Sequence, residues 1–152
     1  MEWIGPFKID ELLNRCFDSS FPKPPEAKGV YLISKKAWNG QPTKNCHPLY
    51  VGSNTGKSKR LRTRIGDLIA DMFGFFGTET GHHSGGQTLH GYCRKRNLNP
   101  KQLYIGWLGG CDCVRCLEND IYKQLGPSQN KRRPATCNEH KSQKAEAKLL
   151  EG

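Results

Sequence analysis

The sequence predicts a small α/β sandwich, with a three-stranded, mainly antiparallel sheet flanked by helices. Three observations carry that expectation. The short runs "GVYLIS", "LYVG" and "QLYIGWL" are rich in β-branched and aromatic residues and read as buried strands. Segments near 9–17, 61–76 and 114–125 carry apolar residues at helical spacing. The elements come in the order helix, strand, strand, helix, helix, strand, helix, and a length of 152 residues favours one compact domain.

The elements follow in chain order. "IDELLNRCF" sets Ile9, Leu12, Leu13, Cys16 and Phe17 at helical spacing, with Asp10 in the first turn. The prolines and glycine of "DSSFPKPPEAKG" end regular structure, so residues 1–28 read as a helix and a proline-rich lead-in. In "GVYLIS", Val30 and Leu32 fall on one face and Tyr31 and Ile33 on the other. Residues 35–48 are polar and turn-rich, and "LYVG" after them completes a long-looped hairpin. Leu61, Ile65, Leu68, Ile69, Met72, Phe73 and Phe76 then trace one helical stripe. Arg60, Arg64, Asp67 and Asp71 are expected on the opposite face, with the two arginines side by side. "GTETGHHSGG" reads as a glycine-rich loop, "QTLHGYCRKRN" as a short helix and "QLYIGWL" as the third strand. "VRCLENDIYKQL" repeats the helical period through Val114, Leu117, Ile121 and Leu125, and Gly126-Pro127 stops it. The compact unit is expected over 29–140, with a basic tail over 141–152.

Charge narrows the function. The chain carries a formal charge of +10. Its cations cluster at Lys57–Arg64, at Arg94–Arg96 and at Lys131–Arg133. Three such clusters point to a polyanion, with DNA as the expected partner. No apolar run approaches a membrane span and no charged-then-apolar leader opens the sequence. A soluble, intracellular, cytoplasmic protein without a membrane partner is therefore expected. Seven cysteines are an odd number, which favours metal binding or burial over a full disulfide framework.

"GVY" at 29–31 and "YVG" at 50–52 resemble the two halves of the GIY-YIG nuclease signature. Downstream, Arg64 lies on the helix after the second strand, Glu118 on a later helix, and Asn130 ends "LGPSQN". That order, and the glutamate-to-asparagine step, are similar to the family pattern over residues 29–134. The resemblance implies a metal-dependent DNA endonuclease with Tyr31, Tyr50, Arg64, Glu118 and Asn130 in its catalytic site. Glu118 would hold Mg²⁺ or Mn²⁺, and a hard cation of this kind needs few protein ligands. Arg64 would clamp a phosphate through its rigid donor fork. Tyr31 and Tyr50 would orient or deprotonate the attacking water, with Tyr31 favoured as base. A free phenol has a pKa of about 10, so that role needs a depressed value. Gly52 would bring backbone close to substrate, and Asn130 would hold the site together. The literal "LYIG" at 103–106 falls after two further helices, so Tyr104 is expected to be structural.

Three departures from the pattern matter. The hairpin loop is long. Many members carry a histidine or tyrosine four residues after the arginine, but Leu68 stands there when counting from Arg64. Either Arg60 is the clamp or the helper has moved, with His82 and His83 as its candidates. Many members also have a lysine close behind the second motif; here Ser53 follows directly and Lys57 is the nearest lysine.

A separate pattern concerns a second metal. Cys113 and Cys116 form a C-x2-C pair, and Cys137 and His140 a C-x2-H pair. Zinc takes such tetrahedral sets of thiolate and imidazole, and Cys111 is an alternative to Cys113. A zinc ion there would close a loop holding both Glu118 and Asn130. The leading reading is an endonuclease that hydrolyses phosphodiester bonds, with restriction, repair and mobile-element roles all open. The alternatives are a non-catalytic, zinc-stapled nucleic-acid-binding module and a surface for RNA or a protein partner.

Overall fold

The computed structural model describes residues 2–54, 60–77, 83–110 and 112–137. A four-stranded antiparallel sheet forms its centre, in the order β1-β4-β2-β3. The strands are β1 (Ile4–Lys8), β2 (Gly29–Ser34), β3 (Pro48–Asn54) and β4 (Tyr104–Gly109). The helices are α1 (Ile9–Asn14), α2 (Leu61–Met72), α3 (Ser84–Lys95) and α4 (Val114–Leu125). The mixed α/β class is as expected, but the sheet has four strands rather than three. The additional strand, β1, carries a positive φ at Gly5 and a proline at 6, and its pairing with β4 is irregular between Ile4 and Phe7. Such a segment has no clean alternation, and proline is tolerated because β1 is an edge strand.

All six residues of β2 are buried, because helices cover both faces of the sheet. On one face Tyr31, Ile33, Leu49, Ile105 and Trp107 pack with Leu61, Ile65, Leu68 and Met72 of α2. Leu89 of α3 and Ile9 and Leu12 of α1 complete that core. On the other face Val30, Leu32, Val51 and Leu108 meet Val114, Ile121 and Leu125 of α4, together with Trp38. Each fully buried aliphatic side chain contributes roughly 1.5–3 kcal/mol, so both faces are needed to hold the sheet.

Two expectations on α2 are corrected. The helix ends at Met72, and Phe73 lies in the following turn, exposed. Asp71 is only 2% exposed, where the helical period had set it on the solvent face. The reason is α3, which packs closely on that side: a Cβ at Gly86 would press against the Asp71 side chain and the Leu68 carbonyl. Helix α4 ends as expected, with Gly126 in the left-handed region at φ 57°. Among the described residues, no helix is long and apolar enough to cross a membrane.

Candidate active site

The strand register creates the site. Tyr31 pairs directly with Gly52, and Ile33 with Tyr50. Tyr31 and Tyr50 are therefore diagonal neighbours on one face, with ring centroids 6.2 Å apart. The missing side chain at Gly52 makes this possible, because a Cβ there would overlap the Tyr31 phenol. Gly85 does the same for Tyr50, whose ring occupies the space a Cβ would need. Gly52 thus serves first as room for Tyr31, where the sequence pointed to a close approach by substrate.

Both tyrosines, Gly52, Ser53, Arg64, Arg115, Glu118 and Ala135 line one cavity of about 220 Å³. The tyrosines arrive from the α2–α3 side of the sheet and Glu118 from α4 on the other side. They meet because β3 is an edge strand, so the cavity straddles its border. Ser53 donates a short hydrogen bond to Glu118 Oε2. Glu118 is the one carboxylate among the described residues that line it. Burial raises its pKa, while the Ser53 hydrogen bond and the charges of Arg64 and Arg115 pull it down. Of the described lining residues, Glu118 is the side chain that could hold a hard divalent cation, which needs few protein ligands.

Arg64, not Arg60, reaches this cavity. Arg60 precedes the first turn of α2 and pairs with Glu26 at 2.9 Å. The two arginines therefore do not act side by side. Lys57, the nearest lysine behind the second motif, and His82, a candidate for the displaced helper, lie outside the described residues.

His83 enters the site from an unexpected direction. It caps α3, is 1% exposed, and its Nε2 lies 2.5 Å from the Tyr31 hydroxyl. Its Nδ1 accepts the Gly86 N–H at 3.3 Å, so in the neutral ring the proton is on Nε2. His83 then donates to Tyr31, an arrangement that favours the phenolate. The histidine is fixed in turn by its own backbone N–H, which donates to Asp71 Oδ2 at 2.6 Å. Burial still dominates: it raises Tyr31 well above the ordinary phenol value, the Tyr50 and Glu118 charges add to that, and Arg64 opposes it. Tyr50 is also raised by burial, again against Arg64. The depressed value expected for a base is thus not supplied by Arg64.

Asn130 braces the edge strand. Its Oδ1 accepts from Val51 N–H and its Nδ2 donates to Val51 C=O, each at 3.0 Å. The backbone N–H groups of Ser128 and Gln129 bond to Pro48 and Leu49 carbonyls. Residues 128–130 thereby cover the open edge of β3 beside Tyr50.

Cys113, Cys116 and Cys137 form a second centre, with all three sulfurs within 4.8 Å of one another. Cys113 and Cys137 Sγ are 3.6 Å apart, close to the roughly 3.8 Å between thiolates on tetrahedral zinc and far beyond a disulfide bond. Burial and the two neighbouring thiols push Cys116 up to about 12, a cost a bound cation removes. The cluster suits a thiophilic metal such as zinc. The expected fourth ligand, His140, and Cys111 lie outside the described residues. Asn119 Nδ2 donates to Ala135 O at 2.6 Å, so the strand of chain leading to Cys137 is also fastened to α4.

Sequence reasoning missed Arg115, Asp71 and the role of Ser53. Arg115 had a usable signal, since it precedes Glu118 by three residues and shares its helix face. Tyr104 stands at the start of β4, paired with Ser34 and Lys8, and does not line this cavity. Comparison with protein-family models, curated proteins and solved structures finds no match to this chain.

Proposed function

We propose that this protein is a metal-dependent DNA endonuclease of the GIY-YIG type, hydrolysing phosphodiester bonds. One observation carries the reading: Tyr31, Tyr50, Arg64 and Glu118, drawn from four elements, line a single polar cavity. A bound Mg²⁺ or Mn²⁺ would supply Lewis acidity to the reacting phosphate. Glu118 would hold the cation, with its carboxylate oriented by Ser53. Arg64 and Arg115 neutralise charge that develops on the phosphate oxygens. Tyr31, its hydroxyl fixed by His83 Nε2–H, orients the attacking water, whose proton passes to bulk solvent as its oxygen bonds to phosphorus. Tyr50 orients a phosphate oxygen through its hydroxyl. The P–O bond opposite the water breaks, and the departing oxygen leaves to be protonated by solvent.

Supercoiled plasmid incubated with the protein tests this. Nicked circles should appear with Mg²⁺ or Mn²⁺ and be absent in a chelator. Tight duplex binding without nicking in any divalent metal would instead support a non-catalytic, zinc-stapled binding module, a reading the three-cysteine cluster also fits.

A further inference from the structure

We infer that a cleft on the far side of Tyr50 seats the stretch of nucleic-acid strand next to the cut, with Lys131 and Arg132 gripping its neighbouring phosphate. This rests on the nuclease reading and adds the path of the substrate. The cleft encloses about 440 Å³ and shares Tyr50 with the catalytic cavity. Ser84 and Thr88 of α3 form one wall, and Gln129, Lys131 and Arg132 the other. Its volume falls within the range of sites that take small organic groups.

Three features favour a phosphodiester strand over another ligand. The substrate is a continuous polymer, so a second contact site has to adjoin the first, and a shared tyrosine makes these two cavities neighbours. Among the described residues no carboxylate lines the cleft, and both cations are exposed. By contrast, Arg60 and Arg62 are matched by Glu26, and Arg15 by Glu11 and Asp18. Finally, the backbone that carries the cations is anchored. They follow directly after Asn130, whose amide is locked onto Val51, next to Tyr50 in sequence. Preorganisation of this kind reduces the ordering cost of binding.

The test separates binding from cleavage by using full-length Glu118→Ala protein throughout. Affinity for a labelled DNA duplex is measured over a salt series for that background and for K131A/R132A within it. The double variant should lose about ten-fold in affinity, and its log–log salt slope should fall by about 1, as for one lost phosphate contact. The charge-conserving K131R/R132K should keep the slope. K8A/K101A removes two exposed cations near the β1 edge, opposite β3, and should change affinity by less than about two-fold. Unchanged binding in K131A/R132A, or an equal loss in K8A/K101A, overturns the inference. Failure of the wild-type protein to nick DNA would overturn the nuclease reading alone, since the binding result is obtained without cleavage.

Discussion

Replacing Asn130 by alanine removes two hydrogen bonds at once, and the structure sets the size of the effect. Both bonds go to the backbone of Val51, each 3.0 Å long. Val51 is fully buried, and the side chain of Asn130 covers its outward N–H and C=O at the edge of β3. A made hydrogen bond contributes about 1 kcal/mol net, and a group left unpaired costs about 1–3 kcal/mol. Water reaches part of this edge, so the low end applies, and the total is about 2–4 kcal/mol. Urea unfolding at an m-value of about 2 kcal/mol/M should then show a midpoint lowered by about 1–2 M. Asn130→Asp should fall between, because it keeps an acceptor for Val51 N–H but sets a second acceptor against Val51 C=O. A loss below about 0.5 kcal/mol for Asn130→Ala would refute the bracing argument, being the size of an ordinary surface substitution.

Other expectations follow from the same geometry. Tyr50→Phe removes a hydroxyl from the cavity and should slow nicking by about 10²-fold, whereas Tyr104→Phe should stay near the wild-type rate. The reverse pattern in a plasmid assay would mean that the wrong tyrosine had been placed in the site. Gly85→Ala drives a methyl into the Tyr50 ring. An ångström of displacement should cost about 10² in rate, with about 1–3 kcal/mol of stability lost to overpacking; unaltered nicking would show that the ring position is immaterial. Elemental analysis should find about one zinc per chain, lost in Cys137→Ser together with thermal stability. Only trace zinc in the wild type would remove the metal from the account.

Much of the sheet was legible because its strands are sharply patterned. Val30, Tyr31, Leu32 and Ile33 alternate between two helical layers as the sequence predicts. The glycine stop at 126 was equally legible. β1 was not, since Gly5 and Pro6 interrupt its pattern and its pairing depends on a strand almost a hundred residues later. The helical period placed Asp71 wrongly because periodicity cannot foresee a second helix docking on the polar face. His83 was a candidate beside His82 from the displaced helper position, but its place as the N-cap of α3 and its contact with Tyr31 are fixed only when α3 packs beside the sheet. The resemblance of the motifs anticipated Arg64 and Glu118, and the fold brings them to one cavity, whereas the choice of Arg64 over Arg60 needed the Glu26 ion pair.

The central claim is that Glu118 holds the catalytic cation. The most direct measurement is the single-turnover nicking rate of Glu118→Gln in Mg²⁺, beside the wild-type protein at matched DNA occupancy. This substitution preserves shape while removing the charge. The account predicts retained DNA binding and a rate lower by about 10³-fold, matching the several kcal/mol that Lewis-acid stabilisation supplies. Nicking by Glu118→Gln at the wild-type rate would contradict it.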